Sequence, residues 1–139
     1  MNGVKILIST ALFITSSVVF LISINKSKNK QFYSDTFFLW PLGIYVWGDG
    51  LVLGLFWMLS AIIFLFISPI NILRFYLLFL AIRSAYEVIY WLNHQANNKK
   101  YEPPLFRNIS WLDAHQGAIL YQVANSCLML LALFFLMLI

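Results

Sequence analysis

Apolar residues run along this chain in four long stretches with short polar breaks between them. A helix that crosses a bilayer needs about 20 mostly apolar residues. Residues 4–24, 44–67, 70–92 and 111–138 meet that requirement. The pattern predicts an all-α integral membrane protein, one transmembrane domain built as a four-helix bundle.

The breaks carry their own signals. Phe37-Phe38-Leu39-Trp40-Pro41 precedes the second stretch and is aromatic and interrupted by proline. Residues 37–47 therefore read either as a segment lying in the membrane interface or as one that crosses. Gly48-Asp49-Gly50 offers a later start for that span, with Asp49 as its N-cap. Only Ser68-Pro69-Ile70-Asn71 joins the second and third stretches, which predicts antiparallel neighbours. The longest linker, residues 93–110, holds Lys99, Lys100, Pro103 and Pro104. Leu105, Phe106, Ile109 and Leu112 fall three to four apart, the spacing of a short amphipathic piece on the surface. Ser110 followed by Asp113 reads as a capping-box start to the fourth helix.

Composition agrees with this reading. The chain is 62% hydrophobic and 10% charged, with mean hydropathy +0.83, where a soluble domain is about one-quarter charged. So few charges cannot cover a water-facing surface. The formal charge of +4 does not suggest a nucleic-acid partner, because the lysines and arginines flank the apolar runs. Their bias sets orientation instead. Lys26, Lys28 and Lys30 sit in the first loop and Lys99, Lys100 and Arg107 in the third, against Lys5 and Arg74 on the other side. Lys and Arg are retained in the cytoplasm, so both termini are expected outside. The first stretch is longer than a signal-peptide core and ends in Asn25-Lys26-Ser27-Lys28 with no small-residue cleavage site, so it is read as a retained helix. The expected location is a bacterial cell membrane, multi-pass.

Each span shows a line of small or polar positions of the kind that packs helices in lipid. The first has Ser9, Ser16 and Ser23, seven apart. The second has Gly43, Trp47, Gly50, Gly54, Trp57 and Ala61, and the fourth Ala118, Gln122, Asn125, Met129 and Ala132. The first two lines are read as close packing. Gln122 and Asn125 need partners if buried, whether another helix or a ligand. The third span's line, Tyr76, Leu80, Arg83, Glu87, Tyr90 and His94, is the informative one. Charges at that depth cost at least ~2.5 kcal/mol each and normally face an interior or an aqueous cavity. Arg83 before Glu87 is the weaker order for a helical pair, which suggests that they serve other helices. Asp49 and Gln122 lie at comparable depth. The candidate polar cluster is thus Arg83, Glu87, Asp49, Gln122, Asn125, Tyr90 and His94.

Chemistry beyond this cluster finds little purchase. The single cysteine, Cys127, excludes an intrachain disulfide, a CxxC pair and a thiolate zinc site. No zinc-protease, nucleophile-elbow, phosphate-loop, EF-hand or dinucleotide signature occurs. His94 and His115 fall near the ends of adjacent spans, where two histidines can ligate haem or a metal. Two interfacial polar residues is the simpler account, and no cofactor or metal is expected. Binding or transport of a small solute through the polar cluster is the expected function. An accessory subunit of a larger membrane complex is one alternative. The other is a membrane-embedded enzyme on a lipid or lipid-linked substrate, with Glu87 as acid or base and Arg83 on an anionic headgroup. The expected partners are the lipid bilayer and a second copy of the chain or a larger membrane protein.

Overall fold

The computed structural model describes residues 2–96, 102–103, 106 and 109–139. The chain is helical: α1 (Asn2–Lys28), a 3-10 helix (Phe37–Leu42), α2 (Trp47–Phe64), α3 (Pro69–Ala96) and α4 (Ala114–Leu138). Three of these, α1, α2 and α4, are long and apolar enough to cross a membrane. They point to a membrane-embedded protein. The third helix is of comparable length but is not among the three, and Arg74, Arg83 and Glu87 interrupt its apolar run. The chain divides into two compact units, Met1–Ile72 and Leu73–Ile139.

In the first unit α1 packs along α2 through small residues. Ser9, Ser16 and Ser23 are buried on α1 and Gly50, Gly54, Trp57, Ser60 and Ala61 on α2. The expected close packing of these two lines is what forms. Glycine suits the place where the backbones approach: a methyl group at Gly54 would sit tightly, 3.1 Å from Phe20 Cβ and 3.3 Å from Phe20 Cα. The α1 seam serines differ from Ser17 and Ser60. Ser17 and Ser60 donate to the carbonyls of Phe13 and Phe56, both at 2.8 Å, one turn back. The buried hydroxyls of Ser9, Ser16 and Ser23 make no hydrogen bond among the described residues. They act as small space-fillers that admit the partner helix.

The second helix starts at Trp47, three residues later than the second apolar stretch, and the reason lies ahead of it. Asp35 and Val46 form an isolated antiparallel bridge. Between them the chain makes the 3-10 helix, which Gly43 ends in the left-handed region at φ 71°, a conformation open to glycine at no steric cost. Residues 37–47 are therefore not a span but a folded-back connection. Asp49 is not the N-cap. That position belongs to Val46, and Asp49 stands three residues inside. Its Oδ2 accepts from the backbone N–H groups of Tyr45 at 3.0 Å and Val46 at 3.3 Å. A carboxylate there satisfies donors that the helix cannot, and it complements the helix dipole.

In the second unit α3 and α4 run antiparallel. At one end the Arg74 guanidinium donates to the Ile139 carbonyl. At the other the Trp91 and Tyr121 rings meet edge-on, with centroids 5.8 Å apart. The fourth helix begins at Ala114, not near Ser110. Asp113 is the N-cap: its Oδ1 accepts from Gln116 N at 2.7 Å, and Gln116 Oε1 accepts from Asp113 N at 3.2 Å. This reciprocal pair is a capping box three residues later than the Ser110 start expected. Of the expected amphipathic piece, Leu105 lies outside the described residues. Phe106 turns inward onto Tyr121, centroids 6.0 Å apart, and Pro103 is fully buried.

Candidate functional site

The polar residues of the second unit gather along α3. Arg83, Glu87 and Trp91 are spaced one turn apart. Arg83 and Glu87 form an ion pair with side chains only 11% and 8% exposed. The expectation that they would serve other helices rather than each other is corrected by this pairing. Sequence order affects an exposed pair by tenths of a kcal/mol. Once both charges are buried, their need to neutralise each other outweighs that preference. Glu87 has a second partner on the same helix, the Trp91 indole N–H, which donates to Oε2 at 3.3 Å. The Arg83 guanidinium also lies over the Tyr86 ring, 5.4 Å from its centroid, an arrangement that favours a cation.

An aromatic ladder flanks this polar one. Tyr86 stacks on Tyr90 with centroids 6.2 Å apart, and Tyr90 meets His94 at 4.0 Å. His94 Nδ1 lies 3.1 Å from the Tyr90 carbonyl. The Trp91 ring is within 5.6 Å of His94 and packs on Ala118 and Tyr121 of α4, closing the cluster from that side.

On α4, Asn125 is fully buried and its amide donates to the Tyr121 carbonyl at 3.0 Å. The antiparallel register, Arg74 by Ile139 and Trp91 by Tyr121, brings Asn125 to about the level of Glu87. Gln122 is only half-buried, at the edge of the α4 face. Asp49 belongs to the first unit, where its carboxylate serves the start of α2. His115 is exposed in the first turn of α4. No group of three His, Cys, Asp or Glu side chains is placed to hold a metal among the described residues.

The face of α3 is rotated from the one read in the sequence, while on α4 Ala118, Asn125 and Ala132 are buried as read. On α3 the buried positions include Ala81, Ser84, Glu87 and Trp91, so Arg83 and Tyr90 sit at the margin. On α4 they are Gly117, Ala118, Tyr121, Asn125 and Ala132. Trp91 and Tyr121 are thus part of the site and were missed. The signal for Trp91 was its place one turn beyond Glu87.

The chain matches no protein-family model, and neither curated proteins nor solved structures provide a match.

Proposed function

We propose that this is a small multi-pass membrane protein that binds a small polar solute at the α3 cluster and passes it across the bilayer. All four helices cross in this reading, with both termini outside and the lysine-rich loops in the cytoplasm. The observation that carries it is the buried Arg83–Glu87 pair, bounded by Trp91, Tyr90 and His94. Ionisable groups held deep in an apolar helix mark solute and proton paths. A neutralised pair of this kind can exchange one partner for a solute charge without leaving a bare charge in a low-dielectric site.

The test is flux in liposomes loaded with candidate ions and amino acids. Wild type should pass one of them, and Glu87→Gln and Arg83→Gln should abolish that flux in protein that still folds. Full flux in a folded variant, or no flux for wild type, would argue against it. Reporter fusions check orientation: one after Ile139 should report outside, and one in the 93–110 linker inside.

A second reading, an accessory subunit of a larger membrane complex, is favoured by the mutual pairing of Arg83 and Glu87, which leaves charge balance complete without a ligand. A stoichiometric partner after mild detergent extraction would support it.

A further inference from the structure

The first unit carries a groove of about 610 Å³ beside the α1–α2 seam. Ile14, Val18 and Ile22 of α1 form one wall, and Phe38, Leu39 and Trp47 form the other. The second wall descends along the helices. Trp57, ten residues or roughly 15 Å along α2 from its start, donates its indole N–H to the Leu42 carbonyl at 2.9 Å. The chain therefore leaves one end of the helix pair, dips beside it and returns to the same end at the Asp35–Val46 bridge. Irregular backbone at membrane depth must satisfy its own polar groups. Here Thr36 N donates to Tyr45 O at 2.9 Å and Thr36 Oγ1 to Ile44 O at 2.6 Å. Gly43 N donates to Trp40 O at 2.8 Å.

The groove is apolar along its length and charged at one end. Asp35 lines it directly. Its bridge to Val46 sets it beside the start of α2, and the start of α2 faces the last turns of α1, with Gly50 against Ser23. Lys26 is four residues beyond Ile22 and seven beyond Val19, hence on the groove face of α1 at that same end. Its ammonium donates to Gln31 Oε1 at 2.9 Å, and an ammonium has three donors. Exposed Phe32, Tyr33 and Trp40 belong to the same connection, as interfacial aromatics do at headgroup level.

We propose that this groove holds one acyl chain of a zwitterionic, amine-bearing phospholipid, with the phosphate at Lys26 and the ammonium at Asp35. The apolar walls take a chain that lipid alone supplies at that depth. The acid and the base at one end match a headgroup bearing both charges. A purely anionic headgroup would meet Asp35 as a like charge.

Native mass spectrometry of the full chain in detergent, offered equal phosphatidylethanolamine and phosphatidylglycerol, tests this. Wild type should retain one phosphatidylethanolamine in preference. Val18→Trp fills the groove at a partly exposed position and should lower retention more than about tenfold, the effect of excluding two methylenes. Lys26→Gln should lower it about two- to fivefold, as for a solvent-accessible ion pair. Asp35→Asn should shift preference toward phosphatidylglycerol. Equal retention by folded Val18→Trp overturns the groove assignment. Equal or stronger phosphatidylglycerol binding by wild type overturns the headgroup assignment. Cross-linking between copies through Val18→Cys in a Cys127→Ser background would give the groove to a second chain and overturn the proposal.

Discussion

The Cα of Gly50 lies so close to the Ser23 hydroxyl that a methyl group added to the glycine would overlap Oγ. The two residues face each other where the last turns of α1 meet the start of α2. Gly50→Val is expected to lower stability in detergent by about 1–3 kcal/mol, the usual result of overpacking. Thermal or denaturant unfolding reads this directly. An unchanged midpoint would mean that the helices are not in contact at this point.

The seam serines make a prediction of opposite sign. Ser16 is buried with no partner for its hydroxyl. Ser16→Ala removes an unsatisfied group without opening much space, so stability should hold or rise. A loss near 0.6 kcal/mol, the mean for an interhelical hydrogen bond in lipid, would mean that the hydroxyl bonds across the seam.

Arg83 and Glu87 should be intolerant of single removal. Arg83→Ala or Glu87→Ala leaves one buried charge unpaired, a loss of about 3–5 kcal/mol for buried pairs. The double replacement by apolar residues should recover part of it. Folded yield and melting temperature of the four proteins, wild type included, decide the matter. Harmless single variants would mean that both charges reach headgroups by snorkelling.

At the start of α4, Asp113→Ala deletes the acceptor for Gln116 N. A lost N-cap costs about 0.5–2 kcal/mol. Asp113→Asn should retain most of the stability, since it keeps an acceptor oxygen. Ser110→Ala should be silent, as the cap lies three residues further on.

Cys127 is exposed on α4, among outward-facing Val123, Leu130 and Leu131. If that face meets lipid, a charged maleimide should label it slowly and a lipid-soluble one rapidly. Fast labelling by the charged reagent would place water along α4.

The candidate site was half legible in the sequence. Arg83 and Glu87 stand out because charges in an apolar run have few explanations, and both proved buried. Trp91 and Tyr121 were overlooked because an aromatic residue in such a run looks like lipid-facing bulk. Only the neighbouring helix shows which ring is enclosed. The same blindness rotated the face of α3 by about one residue, while on α4 Ala118, Asn125 and Ala132 are buried as expected. On α3 the polar side chains were taken as the centre of the face, while Ala81, Ser84 and Trp91 are the buried positions.

By itself the sequence determined that this is a helical protein with stretches long and apolar enough to cross a membrane. It also determined that Ser9, Ser16 and Ser23 share one face of the first helix. These are local properties: hydropathy is summed over a window, and helical periodicity places residues seven apart on one stripe. Tertiary structure decided which groups are satisfied by which. It gave the Asp49 carboxylate to the backbone of Tyr45 and Val46, and Glu87 to Arg83 and Trp91. It folded residues 37–47 back against Trp57, where the pattern admitted either an interfacial segment or a span. A buried polar group takes whichever partner the fold brings within reach. That choice depends on distances between elements, which no pattern along one chain contains.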